Sequence, residues 1–224
     1  DGDYSVGRYV RWLNAALDSL GVPRVIAAGN SFGGELAWAL AAAHPERVAA
    51  LVLVDAAGYP LGADRQEPIG FRLARMPLAR ELVVRFTPRS VIASSLRSVY
   101  GDPTRVTDSL IERYRAMTLR EGNRRALIAR TAQWSAAPDT AAIASIRAPT
   151  LILWGEQDRL ITPRHAERFA RDIEGSRVVR FPALGHVPHE EDPVASVAAV
   201  QEFLSSVAPL SATAATDTPR RRTH

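Results

Sequence analysis

The sequence predicts an α/β chain with a mostly parallel sheet and a helical insertion, and three observations carry that expectation. A short apolar run, Arg24-Val25-Ile26-Ala27-Ala28, enters Gly29-Asn30-Ser31-Phe32-Gly33-Gly34, and an Ala- and Leu-rich stretch from Glu35 to His44 follows. That is the pattern of strand, tight turn and helix. Arg47 to Asp55 is apolar without alternation, as a parallel strand covered on both faces requires. From residue 60 to residue 145 helical segments are punctuated by Pro68, Pro77, Pro88, Pro103 and Pro138, with no second βαβ pattern.

The remaining elements follow in order. Val6, Val10, Leu13, Ala16, Leu17 and Leu20 repeat with the 3.6-residue period of a helix packed on one face, and Gly21 ends it. Thr150 to Trp154 and Ser176 to Phe181 read as two more strands. Between them Pro163 to Asp172 is helical, its proline suited to the N1 position, and a last helix runs from Pro193 to Val207. The expected division is a core over 1–59 and 146–208, a helical insertion over 60–145, and a disordered tail over 209–224, which is small, polar and basic without periodicity.

Composition narrows the function classes. The chain of 224 residues is 46% hydrophobic, enough for one domain with a real core. It has no cysteine, so disulfide frameworks and thiolate metal sites are excluded. No apolar stretch reaches the roughly 18 residues of a membrane span, and the acidic start at Asp1 and Asp3 does not suit a signal peptide, so the expectation is a cytoplasmic protein with no membrane partner. The net charge is +4, but every positive side chain is Arg, scattered along the chain and dense only at Arg220-Arg221-Arg222. This argues for coding bias over a nucleic-acid partner.

The chemistry concentrates in three places. A serine hydroxyl is a weak nucleophile at neutral pH and needs a base, an acid to hold that base, and donors for an oxyanion. Gly29-Asn30-Ser31-Phe32-Gly33 fits G-x-S-x-G, in which flanking glycines permit a strained strand-to-helix turn that lifts the hydroxyl above the sheet. Asp158 lies just past the Thr150–Trp154 strand and His186 just past the next one, at the edge where open α/β sheets place their sites. The order Ser, acid, His completes the pattern.

In these segments the chain resembles the α/β-hydrolase family: the elbow at Gly29 to Gly34, W-G-x-x-D at Trp154 to Asp158, and G-H-x-P-x-x-E-x-P at Gly185 to Pro193. The resemblance runs from about Tyr4 to Leu204. It implies an α/β-hydrolase fold in which the insertion is a helical cap over the substrate pocket. It further implies Ser31 as nucleophile, His186 as general base, Asp158 as orienting acid, and the backbone N–H of Phe32 as one oxyanion donor. No metal or organic cofactor is needed, and the expected partner is a small-molecule substrate.

Competing readings bear on single residues. A phosphate-cradling turn at Ser31 is disfavoured, because the G-K-[ST] ending of a P-loop and the G-x-G-x-x-G pattern are both absent. Asp55 and Glu156 compete with Asp158 for the role of acid, Asp55 because it ends a strand where some relatives carry theirs. His189 is a rival base, but Pro188-His189-Glu190-Glu191-Asp192 reads as a solvated acidic stretch. His44 and His165 look like ordinary helix residues. Trp38, Phe71, Met76 and Phe86 read as core before pocket.

The resemblance also implies about eight strands and a His-Gly loop that supplies a second oxyanion donor, whereas only the last four strands are recognisable. With no initiator Met, the expectation is an N-terminally truncated sequence whose first strand is left as an apolar edge, and weak or no activity for the fragment alone. The function expected first is hydrolysis of a small or medium carboxylic ester through an acyl-enzyme. The alternatives are carbon-carbon bond hydrolysis of ring-cleavage products, whose hydrolases have a similar Gly-Asn-Ser-Phe-Gly-Gly elbow but carry Trp where Val187 follows the base, and a non-catalytic ligand-binding role.

Overall fold

A computed structural model of the chain describes residues 2–62, 65–133 and 140–207; the tail expected over 209–224 lies outside them. In chain order the elements are α1 (Val6–Ser19), β1 (Val25–Asn30), α2 (Phe32–Ala43), β2 (Val48–Val54), α3 (Ile69–Arg75), α4 (Pro77–Arg85), α5 (Arg89–Val99), α6 (Asp108–Leu119), α7 (Asn123–Gln133), α8 (Thr140–Ile143), β3 (Thr150–Gly155), α9 (Arg164–Asp172), β4 (Arg177–Phe181), α10 (Pro188–Glu191) and α11 (Pro193–Ser206). The four strands form one parallel sheet in the order β1-β2-β3-β4. Between β2 and β3 the described chain is helical, as the proline-punctuated pattern predicts.

Burial on both faces explains why β2 and β3 read as unbroken apolar runs. Side chains alternate across a strand. Leu51 and Leu53 pack on one face with Trp38, Trp154 and Phe169, and Ala50, Val52 and Val54 pack on the other with Phe203 of α11. Every residue of β2 and β3 is buried. Edge strands β1 and β4 are only partly covered, and β1 pairs with β2 alone among the described residues.

Several boundaries differ from expectation. Strand β1 runs on to Asn30 and α2 begins at Phe32, so the turn between them is the single residue Ser31. Pro163 is the residue before α9 and not its first; its backbone is already helical (φ −56°, ψ −17°), so the helix boundary moves by one residue. The segment expected to be solvated, Pro188 to Asp192, instead carries the short helix α10 with Pro188 and Glu191 buried. Trp38 is core, its indole N–H donating to Ala57 O at 2.8 Å, whereas Met76 and Phe86 are exposed on the helical segment. Among the described residues no helix is long and apolar enough to cross a membrane.

Candidate active site

The register of the sheet brings the chemistry to one edge. Asn30 pairs with Val54, Val54 with Leu153, and Gly155 with Phe181, so the residues that leave β1, β2, β3 and β4 emerge side by side. The ladder continues one step into the loops: Ser31 N–H donates to Val54 O and Asp55 N–H to Leu153 O, both at 3.0 Å. Among the described residues only Ser31 (φ 54°) and Asp55 (φ 42°) are non-glycine residues with positive φ. Such backbone costs of order 1–3 kcal/mol each and persists where the surroundings enforce it.

Two glycines enforce it at Ser31. A Cβ on Gly29 would sit 2.1 Å from the Gly33 carbonyl oxygen, and one on Gly34 would sit 2.5 Å from Ala56 Cβ. Gly33, by contrast, has open space around it, so the last glycine of the motif is not sterically required. The Ser31 carbonyl accepts from Glu35 N–H and Ala57 N–H, which locks the turn, and Phe32 becomes the first residue of α2, where a backbone N–H has no acceptor within the helix.

Asp158 and His186 meet in a buried pair. His186 Nδ1 lies 2.7 Å from Asp158 Oδ2. The other carboxylate oxygen, Oδ1, accepts from Leu160 N–H (2.8 Å) and Ile161 N–H (3.0 Å), so the carboxylate orientation is fixed independently of the imidazole. Both side chains are almost wholly buried. Ser31 and His186 line the same cavity of about 420 Å³, whose walls include Phe71, Val91, Leu127 and Val187. Most of those walls come from the helical segment between β2 and β3.

The rival residues are disposed otherwise. Glu156 and His189 are exposed. His165 is buried on α9 with its ring edge-on to Tyr59, away from the cavity lining. Asp55 is wholly buried, and its carboxyl group lies with the Asp158 carboxyl and the His186 imidazole in a cluster with one polar atom from each within 4.8 Å of the others. A cation there would need the Nδ1 lone pair that faces Asp158, so the cluster fits a hydrogen-bonded network better than a metal site. Burial, then the negative charge of Asp158, pushes the Asp55 carboxyl well above the usual carboxylate range.

Sequence reasoning missed the groups that hold His186 in place. Its N–H donates to Val99 O at the end of α5, and its carbonyl accepts from Asn30 Nδ2 at 2.9 Å. Glu191 is buried (8% exposed) and accepts from Gly185 N–H at 2.7 Å and Gly101 N–H at 2.8 Å, tying the loop of His186 to the turn after α5. Glu190 accepts from the hydroxyls of Tyr100 and Tyr114 and from Arg113. The glutamate of the G-H-x-P-x-x-E-x-P segment was the available signal. Glu191→Ala should leave two buried donors unpaired and cost about 2–4 kcal/mol, read as a lowered urea midpoint at unchanged m-value; an unchanged midpoint would show that water replaces the carboxylate without loss.

Residues 1–193 match the family model described as alpha/beta hydrolase fold. Two relatives are similar over most of the chain. An uncharacterized protein of Mycobacterium tuberculosis is 27% identical over 222 residues, covering 92% of this chain and 63% of its own length, and 2-hydroxymuconate semialdehyde hydrolase of Pseudomonas putida is 31% identical over 215 residues, covering 92% and 71%. The chain thus spans less than two thirds of that mycobacterial relative. A solved thermophilic esterase from Thermogutta terrifontis, with malate bound, superposes with a TM-score of 0.69 at 28% identity, covering 87% of this chain and 70% of that one. Because the family match runs from the first residue to the start of α11, the chain belongs to the α/β-hydrolase fold family.

Proposed function

We propose that the chain is the triad-bearing part of a serine hydrolase that cleaves a small or medium carboxylic ester through an acyl-enzyme. The observation that carries this reading is the apolar cavity that opens onto both the strained Ser31 and the buried His186–Asp158 pair. In the proposed mechanism His186 Nε2 takes the Ser31 proton as Oγ attacks the substrate carbonyl, and Asp158 stabilises the imidazolium. The N–H of Phe32, at the start of α2, donates to the oxyanion. His186 then protonates the departing alcohol, and water attacks the acyl-enzyme with His186 again as base. The partner is a small molecule, and the helical segment between β2 and β3 acts as the cap that shapes its site.

Carbon-carbon bond hydrolysis is the second reading. The 31% identity to 2-hydroxymuconate semialdehyde hydrolase favours it, and Arg124 on the cavity wall supplies a cation that an anionic substrate group would pair with.

Turnover of p-nitrophenyl acetate and butyrate against a vinylogous diketone, by this chain and by a version extended at its N-terminus, separates the readings. Butyrate hydrolysis with mass-spectrometric detection of a fluorophosphonate adduct on Ser31 is the expected result. Diketone cleavage alone would replace the ester reading with the second, and an adduct-free, inactive protein in both lengths would overturn both.

A further inference from the structure

We infer that Asp55 is a positioning residue of this site: a neutral carboxylic acid at physiological pH whose proton is shared with the Asp158 carboxylate. The inference deepens the reading of Asp158 and His186 as the site's charge pair, and it starts from an accounting of hydrogen bonds. Asp55 is fully buried, yet its carboxyl group receives a single protein donor among the described residues, Gly155 N–H to Oδ1 at 3.0 Å. Oδ2 is buried and, among the described residues, has no donor pointing at it.

An ionised carboxylate with one donor, out of water and within 4.8 Å of a second carboxylate, is strongly disfavoured. Of the two groups, Asp158 has the donors that favour the charged form: Leu160 N–H, Ile161 N–H and His186 Nδ1–H. The proton therefore resides on Asp55 Oδ2, which becomes a donor itself and needs none. The other titratable groups that face Asp55 are His186, in the same cluster, and Glu191, whose negative charge further opposes ionisation. The positive φ of Asp55 is what turns its side chain out of the strand direction into this cluster, a conformation that Asp and Asn tolerate better than other residues.

The arrangement has a function beyond packing. A donor on Asp158 draws off part of its charge and fixes its second face, so the carboxylate keeps its alignment while His186 changes protonation state. Asp55→Asn keeps both a donor and an acceptor in the same shape and suits the same backbone. Asp55→Ala keeps neither.

The decisive comparison uses the folded chain and two readouts that need no turnover. In the infrared spectrum the wild type should show the carbonyl band of a buried protonated carboxylic acid, absent from Asp55→Asn. In proton NMR the resonance of the His186 Nδ1–H that faces Asp158 should stay in place in Asp55→Asn and move in Asp55→Ala, because only there does Asp158 lose its extra donor. If Asp55 were ionised, the band would be missing and Asp55→Asn would itself move the His186 Nδ1–H resonance by removing a negative charge; that outcome overturns the proposal. Where turnover is measurable, Asp55→Asn should stay within a few-fold of wild type and Asp55→Ala should fall about 10- to 100-fold. Inactivity of the wild type with and without the N-terminal extension would count against the proposed function and not against this inference, since the spectroscopic results stand without it.

Discussion

Ser31→Ala should lower turnover by roughly 10⁶-fold, the scale seen when an acyl-transfer nucleophile is removed, and should abolish fluorophosphonate labelling. The fold should not suffer. Alanine has the same Cβ as serine, so the positive φ at this position is no more strained than before, and the elbow is held by backbone hydrogen bonds from Glu35 and Ala57 to the residue 31 carbonyl and by the close approach of Gly29 to Gly33. Unfolding free energy is expected to stay within about 0.5 kcal/mol of wild type. A variant that still turns over an ester at more than a trace rate would remove Ser31 from the mechanism.

Asp158→Asn should cost about 10⁴-fold in turnover with the fold retained. The amide oxygen is expected to keep the Leu160 and Ile161 N–H groups, because they would otherwise be buried without an acceptor. That leaves the amide NH₂ facing His186 Nδ1. The imidazole must then accept at Nδ1 and carry its proton on Nε2, which points a donor at Ser31 where a base is required. Serine labelling should slow in parallel. Retention of more than a few percent of activity would mean that a different carboxylate, with Asp55 the nearest, serves as the acid.

The candidate site residues were legible because each lies in a short segment whose meaning is local. Glycines flank Ser31, a strand precedes Asp158, and a strand followed by Gly185 precedes His186. Strands β2 and β3 were legible because burial on both faces leaves no polar residue to disguise them. What the sequence hid is non-local. Glu190 and Glu191 sit in a run of charges that looks solvated, but their partners Tyr100 and Gly101 are about 90 residues away on the helical segment. Asp55 could be seen as a rival acid, but not as a buried neutral group, since that depends on its contact with Asp158 and on the one donor it receives from Gly155, 100 residues along the chain. Asn30 looked like a variable position of the elbow, and its bond to the His186 carbonyl spans 156 residues.

The crossing of two loops beside His186 sets a rule for remodelling the molecule. A Cβ on Gly101 would lie 2.4 Å from Ala183 O, and one on Gly185 would lie 2.4 Å from both Gly101 N and Val99 O, so the two backbones touch with no side chain between them. Helices of the segment that touch neither Glu190 nor His186 can be exchanged for others to change what the cavity admits, because their contribution is wall. The tripeptide Val99-Tyr100-Gly101 cannot travel with them: it is a keystone, and a grafted insertion that lacks it would leave His186 without its backbone anchor, however well the new helices fold.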